Sequence, residues 1–167
     1  ESAARLPDGR ATITLVLRSE AVRVPQAAAW WPHAFELRYT ATAGSDLTLT
    51  LSTRNTGSAP FTITQALHTY FAVSDVRSVR VHGLEGAEYI DTVGPETLRR
   101  QGPEPVAVRA EIDNVYRGHT GQCVLEDAPW GRRIRVAKSG SRSTVVWNPW
   151  IEKAARMPDF GDDEWPH

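Results

Sequence analysis

The sequence predicts an all-β fold of antiparallel strands, arranged as a sandwich or barrel. Polar and apolar residues alternate with period two over short runs, the pattern of a strand with one buried face. Clusters of Gly, Pro, Asn and Asp punctuate these runs, and helical spacing is scarce. Many short strands with so little helix exclude a parallel α/β architecture.

In chain order, Ala11 to Leu17 reads as the first strand, and Phe35 to Thr42 alternates up to a turn at Gly44-Ser45-Asp46. Leu47 to Thr53 returns, with Leu47, Leu49 and Leu51 on one face and threonines on the other, as a half-buried antiparallel hairpin requires. Asn55 to Pro60 is a second turn, and Phe61 to Leu67 begins another strand. Further strands are expected at Val76 to His82, Ala87 to Thr92, Val106 to Ala110, Gly121 to Glu126, Arg133 to Ala137 and Thr144 to Trp147. Gly94-Pro95 and Gly102 to Pro105 bracket a Pro-rich loop, and Trp150 to Met157, between Pro149 and Pro158, is the one stretch with helical character.

The 167 residues fit one domain, and no linker, repeat or low-complexity segment divides them. A hydrophobic fraction of 41% supplies a core without disulfides, and the single Cys123 has no partner in the chain. One unpaired thiol fits a reducing compartment, so a cytoplasmic location is expected. With 19 Lys and Arg against 20 Asp and Glu there is no basic field for nucleic acid, and no apolar run reaches the roughly 20 residues of a membrane span. A nucleic-acid or membrane partner is therefore not expected, and the protein is expected to be a monomer. A first residue of Glu rather than Met leads to the expectation of a processed or cut chain.

Five histidines without His-x-His or His-x-x-x-His spacing and one cysteine argue against a metal centre. The acidic stretch Asp159, Asp162, Asp163 and Glu164 lacks the ligand spacing of a calcium loop. Phosphate loops, dinucleotide turns and nucleophile elbows are missing from the sequence.

Three constellations remain. His68, in Leu67-His68-Thr69-Tyr70-Phe71, ends an alternating run among large apolar residues. Half desolvated at a strand end and near a carboxylate, it could act as a general acid or base. The alternative is a core histidine satisfied by a backbone carbonyl. Asp113, in Glu111 to Tyr116, would share a strand face with Glu111. An inward carboxylate there would bind hydroxyls of a polar ligand, whereas an outward pair would be ordinary solvated acids. Trp147 and Trp150, around Asn148-Pro149, offer either a stacking surface for a sugar or a core corner. For Trp30-Trp31-Pro32-His33 the core is the expected place.

Leu67 to Phe71 with Val73, Asp75 and Val76, then Val79 to Gly86 and Tyr89-Ile90-Asp91, resembles the central segment of the glucose-6-phosphate 1-epimerase (hexose-6-phosphate mutarotase) branch of the aldose 1-epimerase superfamily. Pro32 to Leu37, Glu111 to Tyr116 and Val146 to Ala154 resemble the same branch in the same order, so that the likeness covers nearly the whole chain. It implies an antiparallel β-supersandwich of the galactose mutarotase type. The implied reaction interconverts the α and β anomers of a hexose 6-phosphate such as glucose 6-phosphate, without cofactor. Ring opening then needs a base for the proton of the anomeric hydroxyl and an acid for the ring oxygen. The resemblance places the acid on His68 and the binding of sugar hydroxyls on Asp113. It matches neither Glu152 nor Glu164 to the general base, a glutamate expected beyond His167, and it places phosphate-binding arginines before Glu1. The 167 residues are thus expected to be one β-sandwich domain lacking its N-terminal part and last strands, inactive alone. A non-catalytic carbohydrate-binding β-sandwich module is the competing expectation.

Overall fold

The computed structural model describes residues 1–24, 26–161 and 163–167. It contains eleven strands among these residues: β1 (Ser2–Arg5), β2 (Ala11–Arg18), β3 (Phe35–Ala43), β4 (Leu47–Asn55), β5 (Val79–His82), β6 (Glu88–Asp91), β7 (Thr97–Arg100), β8 (Ile112–Arg117), β9 (Cys123–Asp127), β10 (Arg132–Val136) and β11 (Ser143–Asn148). Two short helices, α1 (Ala27–Trp30) and α2 (Trp150–Ala154), and a single turn at Ser19–Ala21 complete the regular structure. All strand pairs are antiparallel. The chain divides into two compact units, Glu1–Leu67 and His68–His167.

The first unit is a four-stranded meander in the order β1-β2-β3-β4. The expected hairpin is present, with Ala43 opposite Leu47 across Gly44 to Asp46. Side-chain alternation divides its faces chemically. Ile13, Leu15 and Leu17 lie opposite Ala41, Tyr39 and Leu37, which in turn face Leu49, Leu51 and Thr53. The other face carries a threonine ladder, with Thr12 bonded to Thr42 and Thr14 to Thr40 at 3.1 Å each.

The second unit has two sheets, β10-β9-β5 and β11-β8-β6-β7. Its core forms where their inner faces meet. Val73, Val76, Val79 and Val108 make one cluster, with Phe71, Leu125, Trp150 and Trp165 against it. Leu84, Val106, Tyr116 and Cys123 make another, packed by Val81, Tyr89 and Val146. Tyr116 is fully buried, donates its hydroxyl to Gln101 Oε1 at 3.0 Å, and rests against the Tyr89 ring. Cys123 is a free, buried thiol.

Several expectations need correction. Phe61 to Leu67 alternates like a strand but belongs to no sheet: the Thr53 hydroxyl of β4 donates to Gln65 Oε1 at 2.9 Å, but no backbone ladder joins the segment to a described strand. Val106 to Ala110 is reduced to a single bridge, Val81 to Val106 with reciprocal 2.9 Å bonds, since Pro103 and Pro105 remove donors just before it. β1 and β7 form where no strand is expected. Every residue of β7 is exposed, and ion pairs from Arg100 to Glu88 and from Arg99 to Asp91 tie it to β6. Trp30 is 76% exposed and Trp31 38%, so neither is a core residue. Trp31 and His33 instead cluster around Phe61.

Candidate functional site

Asp113 and Trp147 sit directly opposite each other on β8 and β11. Alternation fixes which way they face. Asn114 and Tyr116, their neighbours on β8, are buried in the core, so Asp113 and Val115 project from the opposite, outer face with Trp147 and Val145. Asp113 is half-buried, and its backbone carbonyl accepts both the N–H and the hydroxyl of Thr92 at 3.0 Å. Among the described residues no donor occupies its carboxylate, which leaves both oxygens free to accept from hydroxyls.

Two further rings frame Trp147. Tyr70 meets it edge to face at 6.2 Å between centroids, and Phe160 does so at 6.1 Å. Such T-shaped pairs are the favoured aromatic geometry. Phe160 comes from the segment after α2, and Tyr70 from a strap, residues 68–78, that has no strand or helix of its own. His68 lies two positions before Tyr70 in that strap.

His68 itself is exposed and outside any strand, against the expectation of a half-desolvated strand end. The packed strand that would have covered it does not form. Among the described residues no carboxylate lies within ion-pair distance of its ring, and no hydrogen bond engages it. Asp113 and Glu111 also part company. Glu111 precedes β8 and bonds Lys153 of α2 at 2.8 Å, so it does not share a strand face with Asp113.

The two tryptophans separate as well. Trp147 is on the outer face, whereas Trp150 turns into the core against Trp165, at 4.6 Å between ring centroids. The corner between them is held under strain. Trp150 adopts φ 58°, a left-handed conformation costly for a bulky residue, and its N–H donates to Asn148 Oδ1 at 2.9 Å. Asn148 Nδ2 donates in turn to the Trp165 carbonyl at 2.9 Å, and Pro149 is buried between them.

Sequence reasoning missed Tyr70 and Phe160, because an exposed tyrosine and a phenylalanine in an acidic stretch carry no periodic signal. No three His, Cys, Asp or Glu side chains among the described residues form a metal-binding group, and Asp162 of the acidic stretch lies outside them. Glu152 and Glu164 are exposed, and Glu164 caps the Gly161 N–H at 3.1 Å. Among the described residues no helix is long and apolar enough to cross a membrane.

Antiparallel sheets, a core between them and an outer face bearing an acid among aromatic rings define the class: an all-β protein of the mutarotase fold. The chain belongs to the aldose 1-epimerase family, whose profile (Aldose 1-epimerase) matches residues 3–167. It is similar to proteins named "Putative glucose-6-phosphate 1-epimerase" from Cenchrus ciliaris, 41% identical over 140 residues (81% of this chain, 42% of that one), and from Escherichia coli, 30% identical over 151 residues (89% and 49%). The crystal structure of a "putative mutarotase" from Salmonella typhimurium superposes with a TM-score of 0.87 and 27% identity, over 99% of this chain and 53% of that one. The chain thus spans about half the length of the relatives it matches.

Proposed function

We propose that the protein carrying this sequence interconverts the anomers of a hexose 6-phosphate, glucose 6-phosphate in the first instance. One observation carries the reading. Asp113 lies opposite Trp147 on one outer face, and Tyr70, two residues after His68, packs against the same ring, which supports a site drawn from those three stretches of sequence. The names of the relatives supply the phosphorylated sugar.

In this reading the apolar CH face of the pyranose rests on Trp147, flanked by Tyr70 and Phe160, and the Asp113 carboxylate accepts from sugar hydroxyls. His68 gives its proton to the ring oxygen as the bond from C1 to that oxygen breaks. The anomeric hydroxyl loses its proton to a base, which is not assigned to any residue of this chain. The resulting aldehyde turns about C1–C2, the ring oxygen adds back to C1, and both protons return. Every atom is conserved, and no cofactor enters the scheme.

The test is exchange between α- and β-glucose 6-phosphate, followed by NMR on the full-length protein carrying this sequence. His68→Ala is expected to lower kcat by about 10²-fold or more, the usual worth of a general acid. Asp113→Asn is expected to act mainly on KM. Parental rates in His68→Ala would remove the acid assignment. Saturable binding of glucose 6-phosphate with no acceleration of exchange would favour a carbohydrate-binding module, and equal rates on glucose and glucose 6-phosphate would remove the phosphate from the reading.

A further inference from the structure

The strap that carries His68 has no ladder to fix it, yet a fully buried charge grips it. Asp127, the last residue of β9, is completely buried. Its carboxylate accepts the Ser74 N–H at 3.0 Å and also the Ser74 hydroxyl. Arg132, directly opposite on β10, brings its Nε to 3.6 Å from Asp127 Oδ2 and lies over the Trp130 ring at 4.6 Å. Its guanidinium also donates to the Ala72 carbonyl. The β9–β10 hairpin therefore holds the strap at two successive points, Ala72 and Ser74, while Phe71 and Val73 pack against the core.

We propose that Asp127 and Arg132 are positioning residues for the reaction, fixing through Ser74 and Ala72 the strap that carries His68 and docks its Tyr70 on Trp147, opposite Asp113. The proposal rests on the reading of His68 as the acid.

A carboxylate fully removed from water is expensive to bury, and apolar side chains usually fill such a place as well or better. A buried carboxylate that grips loop backbone, with a partly exposed arginine beside it, is instead suited to specifying one conformation. Burial alone would raise the Asp127 carboxyl. The bonds from Ser74 and the Trp130 N–H, with the charge of Arg132, outweigh it and leave the group below the ordinary carboxylate value, and so ionised. Reach completes the case. His68 is four residues before Ala72, about 13 Å of extended chain, and Tyr70 docks on Trp147 halfway along. Without the two grips the upstream strap is left with the Tyr70 edge-to-face contact and the apolar packing of Phe71, neither of which fixes its backbone by a hydrogen bond. Misplacement of a reacting group by about 1 Å can cost about 10²-fold in rate.

The experiment compares Ser74→Ala, Ser74→Thr, Asp127→Asn and His68→Ala in the full-length protein, with exchange kinetics across pH. Near-UV circular dichroism establishes that each variant is folded. Ser74→Ala and Asp127→Asn are expected to lose about 10-fold in kcat with KM for glucose 6-phosphate within about twofold, and Ser74→Thr, which keeps the hydroxyl, to restore most of the rate. The limb of the pH–kcat profile that disappears in His68→Ala is expected to persist in both, at reduced height. Parental kcat in folded Ser74→Ala while His68→Ala is inactive would overturn this proposal alone. A parental rate in His68→Ala would overturn the acid assignment and the proposal with it. Asp127→Asn carries the greater risk of not folding, and Ser74→Ala decides the matter without it.

Discussion

The two units of the chain obtain their order in opposite ways. Glu1–Leu67 holds the longest strands, β3 and β4 of nine residues each, paired without interruption over their full length. None of its described residues is buried. On its apolar face Ile13 is 45% exposed, and Leu15 and Leu17 are 41% exposed. His68–His167 has strands of only four to six residues, broken by loops and a single-bridge connection, yet it contains every buried apolar side chain described. Regular hydrogen bonding and burial are therefore separable. A backbone ladder exchanges bonds to water for bonds to protein at a modest net gain, whereas burial of apolar area is the dominant favourable contribution to folding. The candidate site lies on the buried-core unit, where irregular loops are held by side chains.

The largest expected effect comes from a single truncation in the core. Leu84 has no exposed surface and fills the cluster with Val106, Tyr116 and Cys123. Leu84→Ala is expected to destabilise the chain by about 3–5 kcal/mol in denaturant titrations, the transfer and cavity cost of a core leucine. A loss below about 1 kcal/mol would mean that this cluster is not where stability resides.

How much of this was legible in sequence follows the same division. The hairpin of β3 and β4 was readable because Leu47, Leu49 and Leu51 alternate with threonines and Gly44 to Asp46 marks the turn. β1, Ser-Ala-Ala-Arg, was not, since it buries nothing and exists only through its backbone pairing with β2. Phe61 to Leu67 misled for the converse reason: periodicity reports which face a strand would bury, not whether a partner is present. At the site, His68, Asp113 and Trp147 were singled out from their local runs. The grip of Asp127 and Arg132 on residues some 53 and 60 positions away was not visible, because long-range pairing leaves no local pattern.

A second expectation sharpens the burial side of the comparison. Burial pushes the Tyr116 hydroxyl up to about 12, from an ordinary value of 10.0. A raised value means that the folded state favours the protonated phenol. Its contribution is therefore complete below pH 10 and declines as pH rises from 10 to about 12, where the unfolded chain ionises first. Denaturant midpoints should fall across that window, and Tyr116→Phe should flatten the fall while losing about 1 kcal/mol for the bond to Gln101. An unchanged slope in Tyr116→Phe would assign the alkaline loss to another group.

The smallest effect tests the open sheet. Leu15 sits at the middle of β2, opposite Tyr39, with Leu51 beyond it on β4. With 41% of its surface still in water, it has a reduced transfer term to lose. Threonine is β-branched, as strands favour, and matches the ladder already present on the other face. Leu15→Thr is therefore expected to cost about 1 kcal/mol or less in the same titrations, with the amides of β2 exchanging with solvent at nearly parental rates. A loss comparable to that of Leu84→Ala would mean that the apolar face of this sheet is covered in solution, and the contrast between an open ladder and a buried core would then be lost.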